Sequence, residues 1–226
     1  MKKVVAFDIL GTCFCFDNLI QALDEEFGPE IKNAGTTPFH MMMSWFYATQ
    51  RDSTYLNLCG QYIPIGKVFA STLSRALARV SFDDTRLVDG FEALWEAGFE
   101  VYAVSNGAIA TTREYLAGLQ PKCKPGIFTK GNSDNYIVSC DEVKESKPSL
   151  SIYKHALRKA GADPSKDVCW LVAAHTWDLL SARQAGFKTA YVTFEEIVAC
   201  EDLFGKPDIT EDCLVKAAES IAAATL

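Results

Sequence analysis

Short apolar runs that end on polar residues, alternating with helical patterns, constrain this chain more than any other feature. Residues 3–9 ("KVVAFDI"), 100–106 ("EVYAVSN"), 126–131 ("GIFTKG"), 167–175 ("DVCWLVAAH") and 188–194 ("KTAYVTF") read as strands. Helical patterns fill the intervals at 85–98, 108–119, 149–161 and 178–186, three of them stopping at Gly98, Gly161 and Gly186. A strand–helix alternation of this kind predicts an α/β fold, a doubly wound parallel sheet with helices on both faces. Its ligand crevice should lie at the carboxyl ends of the strands.

Residues 14–88 break the rhythm. Three helical stretches, "LIQALDEEFG", "PFHMMMSWFYATQRDSTYLNLCGQY" and "IGKVFASTLSRALARV", follow one another with no convincing strand between them. The expected organisation is therefore an α/β core from residues 1–13 and 89–226, with an all-helical domain inserted at 14–88. The last stretch, "TEDCLVKAAESIAAATL", reads as a helix packed on the core. At 226 residues and 49% hydrophobic content, one sizeable core with a smaller appendage is affordable.

The net charge of −7 argues against a nucleic-acid surface. No run approaches the roughly 18 apolar residues of a membrane span. The apolar stretch Val4–Phe7 is cut short at Asp8, so no targeting segment is expected and the chain reads as cytoplasmic. Its eight cysteines form no CxxC pair, which disfavours zinc, and they read as free thiols rather than a disulfide framework.

Polar residues stand where the strands should end. Asp8 and Thr12 follow the first, Ser105, Asn106 and Gly107 the second, and His175 and Asp178 the fourth, while Lys147 precedes Pro148 at a helix start. Each has an ordinary reading alone: a helix cap, a turn former, a surface lysine, a structural histidine. Together they would place a carboxylate, hydroxyl, amide, ammonium and imidazole on one sheet edge.

The order of these motifs resembles the haloacid dehalogenase-like superfamily. "VVAFDILGT" is similar to its first motif, "VYAVSN" to the second, "SKPSLSIY" to the third and "CWLVAAHTWD" to the fourth, and the helical insertion is similar to its cap. The resemblance implies a Rossmann-like core and a hydrolase. Phosphatases of the superfamily carry a second acid two residues after the nucleophile and an acidic pair that holds Mg²⁺. Here those positions read Leu10 and Ala174. The pattern is closer to the (S)-2-haloacid dehalogenase branch, which works without a metal or other cofactor. That branch shares D-x-x-G-T, "SNG", a Tyr six residues after the Lys, and an aromatic–Asp pair.

By that resemblance Asp8 is the nucleophile and Lys147 holds its charge. Ser105 and Thr12 bond its oxygens or the substrate carboxylate, and Asp178 fixes Lys147 and helps position water. Asn106 contributes to the halide site. Leu10, Tyr153 and Trp177 complete the substrate surroundings. His175 stands where the branch has Asn, as polariser or general base. The branch's cap Arg is replaced by Phe46 after Trp45, and Arg51 lies about 1.4 helical turns further on. Trp45, Phe46 and Tyr47 have two readings: cap core, or the lining of a pocket for something larger than a two-carbon haloacid. The partner expected is a small-molecule substrate, and dehalogenases of this branch are often dimers. The alternatives are a phosphatase of the same superfamily acting on a small phosphate ester, and a non-catalytic binding protein.

Overall fold

The computed structural model describes residues 16–78, 93–110, 112–114, 133–193 and 195–225. Three helices come first: α1 (Asp17–Asn33), α2 (Pro38–Leu58) and α3 (Ile65–Ala78). Thr37 starts α2 by accepting the His40 backbone N–H at 3.2 Å, and Pro38 fits the first turn, where no N–H is needed. Leu23, Ile31, Met41, Met42, Trp45 and Phe46 form the apolar core of this region.

The remaining described residues carry β1 (Ala103–Ser105), β2 (Ile137–Ser139), α4 (Cys140–Val143), α5 (Leu150–Ala160), β3 (Trp170–Ala173), α6 (Thr176–Ala185), β4 (Lys188–Val192), α7 (Glu201–Phe204), β5 (Ile209–Glu211) and α8 (Leu214–Ala223). β1 pairs parallel with β2, and β3, β4 and β5 form a second parallel sheet in that order. The parallel α/β expectation thus holds where the chain is described. β2 and β5 were not foreseen, since "IVS" and "ITE" are too short to show a period. The expected strands at 3–9 and 126–131 lie outside the described residues.

Strand alternation sorts the side chains of the three-stranded sheet. Leu171, Ala173 and Tyr191 pack with Tyr153, Leu179 and Ala182 of α5 and α6. Val172, Ala174 and Val192 pack with Leu214 and Ala217 of α8. Both faces are covered by helix. A third cluster joins the two regions: Leu56 of α2 and Val68 of α3 meet Trp177 and Leu180 of α6 and Phe204 of α7. Each such side chain contributes roughly 1.5–3 kcal/mol on burial, so the helical region is docked and not merely tethered. Gly186 ends α6 at φ 106°, and a Cβ there would meet Pro164 at 2.9 Å, so glycine is required on both counts. Among the described residues no helix is long and apolar enough to cross a membrane.

Candidate functional site

β1 ends on Ser105, and the chain turns at once. The Gly107 backbone N–H donates to Ser105 Oγ at 2.9 Å, and Ser139 Oγ at the end of β2 donates to the Gly107 carbonyl at 2.8 Å. Ser139 also caps α4. Its hydroxyl accepts the Asp141 N–H, while Glu142 returns a carboxylate to the Ser139 N–H. The second motif is therefore a turn braced by its neighbouring strand.

Asn106 reaches the third motif. Its Oδ1 accepts the backbone N–H of Lys147 at 2.8 Å and the thiol of Cys140 at 3.0 Å. The Lys147 ammonium in turn donates to Asp178 Oδ2 at 2.8 Å, and the Tyr153 hydroxyl donates to Asp178 Oδ1 at 2.5 Å. Lys147 and Asp178 side chains are only 11% and 8% exposed, so neither charge is left to bulk water. Burial, then the Asp178 charge and hydrogen bond, push Tyr153 far above the usual tyrosine range. It stays protonated and remains a donor. Both Asp178 oxygens are thereby committed, and the carboxylate serves as an anchor for Lys147.

His175 immediately precedes α6, its Nε2 3.0 Å from Glu195 Oε1 and its ring 5.2 Å from that of Trp177. Trp177 is buried, packs on Tyr55 of α2 at 4.7 Å, and its indole Nε1 has no acceptor among the described residues. A cavity of about 630 Å³ runs beside β1 and β3, from Gly98 and Asp167 to Lys147 and Ala174. Ser105, Asn106, Lys147, Tyr153 and Asp178 are thus linked at or near one edge. Asp8, Leu10 and Thr12 lie outside the described residues.

The helical region's candidates go elsewhere. Trp45 donates its indole N–H to Phe69 O and Thr72 Oγ1 and stacks on Phe69 at 3.9 Å. It and Phe46 belong to the helical core, and Tyr47 is 60% exposed. Trp45 does line a smaller cavity of about 260 Å³ among the helices, away from Lys147. Arg51 pairs with Asp52 at 2.8 Å and Glu196 at 2.9 Å. None of these four contacts the Lys147–Asp178 pair. The residues of α2 that do reach Trp177 of the fourth motif include Tyr55 and Leu56, neither of them singled out from the sequence.

A second polar cluster was also missed. Asp52 and Glu196 are fully buried, as is Arg75 apart from 3% of its side chain. Arg75 donates to Asp52 Oδ2 and Thr176 Oγ1, both at 2.8 Å, and to the carbonyls of Val198 and Ala199. Glu196 Oε2 accepts the Thr176 N–H at 2.9 Å and its hydroxyl at 3.1 Å. Burial pushes Asp52 up, against the pull of Arg51 and Arg75. The signal was available: Asp52 falls on the buried stripe Trp45, Thr49, Asp52, Leu56 of α2, where a carboxylate requires a partner.

The five described cysteines 59, 140, 169, 200 and 213 are free. Burial raises Cys59, Cys140, Cys169 and Cys200, the last to about 11, so these four are thiols at neutral pH. Among the described residues no three His, Cys, Asp or Glu side chains gather as a metal site.

No family model matches the sequence, and no curated protein does. Solved structures do match in fold. A dehalogenase aligns at 20% identity over 90% of this chain and 91% of its own, with a TM-score of 0.52. An L-2-haloacid dehalogenase aligns at 18% identity over 94% and 95%, with a TM-score of 0.50. The likeness is one of fold: the chain is built as these two dehalogenases are.

Proposed function

We propose that the chain is a metal-independent hydrolase of the 2-haloacid dehalogenase type, with α1–α3 serving as its cap. The observation that carries the reading is the Tyr153–Asp178–Lys147 chain beside Asn106 and the cavity. A lysine held by a committed carboxylate is a fixed positive charge, suited to orienting a carboxylate nucleophile. Because Ala174 offers no ligand where the phosphatases hold a second acid, a hard divalent ion would find few oxygen ligands here among the described residues.

In this reading Asp8 attacks the sp³ carbon next to the substrate carboxylate. The C–O bond forms as the carbon–halogen bond breaks, halide leaves with the bonding pair, and an ester joins Asp8 to the substrate. Water then attacks the ester carbonyl carbon, releasing the 2-hydroxy acid and regenerating Asp8 with one oxygen from water. His175, beside the Glu195 carboxylate, is suited to take the water proton. Ser105 and Thr12 bind the carboxylates, and the Trp177 N–H, which has no acceptor among the described residues, would with Asn106 receive the halide.

The test is turnover of 2-chloropropionate in ¹⁸O-labelled water, with mass analysis of the peptide containing Asp8. Label should enter Asp8 over many turnovers, and Asp8→Asn should release no halide. Halide release that survives Asp8→Asn sinks the mechanism. Mg²⁺-dependent hydrolysis of a simple phosphate ester, without halide release, overturns the reaction class.

A further inference from the structure

The second cluster bears directly on the fourth motif. Thr176 is the first residue of α6, between His175 and the Trp177–Asp178 pair. Its hydroxyl accepts from Arg75 of α3 and donates to Glu196, and its backbone N–H donates to Glu196 as well. Arg75 is itself aimed by Asp52 of α2 and by two carbonyls beyond β4. All these groups are buried, so their attractions are poorly screened and their geometry is restrictive. Nothing in the proposed reaction uses Arg75, Asp52 or Glu196 directly.

We propose that Arg75 is a positioning residue, holding Thr176 through its hydroxyl and so setting where His175, Trp177 and Asp178 stand around the reacting groups. Resting on the dehalogenase reading, it assigns the helical region a role in aligning the fourth motif as well as in covering the site. Asp52 and Glu196 fix the guanidinium plane, and Thr176 passes that fix to the turn.

Arg75→Met would leave two buried carboxylates to share Arg51 alone and would fold poorly, so the informative variant is Thr176→Val. It removes only the hydroxyl, keeps the shape, and leaves the ion pairs in place. Chloride release from 2-chloropropionate should fall about tenfold to a hundredfold in kcat, with KM within about twofold. The Trp177 indole N–H resonance should move, identified by its loss in Trp177→Phe. Thr176→Ser should restore both. Wild-type kcat with an unmoved indole resonance in Thr176→Val overturns the proposal, as does an equal loss in Thr176→Ser. If the wild type releases no halide, the dehalogenase reading fails, and the indole resonance in the two Thr176 variants decides the positioning role by itself.

Discussion

The two charge clusters are chemically alike and differently placed. Lys147 and Asp178 pair directly, with the Tyr153 hydroxyl donating to Asp178 and Lys147 bordering the larger cavity. Arg75, Asp52, Arg51 and Glu196 sit between the helical region and the sheet, with the first, second and fourth fully buried or nearly so. The first keeps an ammonium on the border of the larger cavity. The second ties helix on one side to loop on the other, and its Asp52 and Arg75 border the smaller cavity among the helices. Both clusters border a cavity, so the difference teaches that a buried charge cluster is marked for architecture by the number of elements it joins.

Breaking the interior cluster should have the largest effect on stability. Arg75→Met should cost roughly 3–5 kcal/mol, read in urea melts, and Asp52→Asn added to it should recover part of that loss. Lys147→Met separates the two roles. It should abolish halide release while costing roughly 3 kcal/mol at most, because the pair it breaks retains some exposure. A Lys147→Met variant that unfolds like Arg75→Met would erase the distinction.

Tyr153→Phe sharpens the comparison. It removes one of two donors to Asp178, and a hydrogen bond to a charged acceptor contributes about 1.5–3 kcal/mol. Lys147 stays paired, so the activity loss should be smaller than in Lys147→Met.

The smallest effect lies outside both clusters. Burial works to raise Glu142, but hydrogen bonds from Lys159 and the Ser139 N–H, the nearby His155 ring and the Lys159 charge bring it below the ordinary 4.5. The unfolded chain therefore takes up this proton first as pH falls. The stabilisation is full above about pH 4.5 and is lost as pH drops through the folded value. Glu142→Gln should cost about 1 kcal/mol at neutral pH and flatten the acid limb of a stability–pH curve measured by urea midpoints.

The same contrast explains what could be read from the chain. Ser105, Asn106 and Asp178 stood out because a parallel sheet exposes polar residues where apolar runs stop, Lys147 stood out before Pro148 at a helix start, and Tyr153 only through the family resemblance. β3, β4, α5 and α6 were legible from their periods. The helical region was legible as helices but not as a surface. Trp45, Phe46 and Tyr47 are consecutive, so they face different ways round α2, and only packing decides which are inside. Arg75 and Glu196 were hidden because the contacts that carry them between the helical region and the rest span 101 to 145 residues, as in Arg75–Thr176 and Arg51–Glu196. No local pattern records such pairings.

The span of Arg75 has a consequence for exchange between proteins. Its donors end on α2, on the start of α6 and on the loop after β4. Residues 16–78 excised from the rest would leave Asp52 and Arg75 without Glu196, Thr176 and their apolar cover, so they should not melt as an autonomous unit. A helical region grafted from another protein would have to arrive with matching residues for positions 176 and 196. The two halves are bound to change together, as one inheritable block.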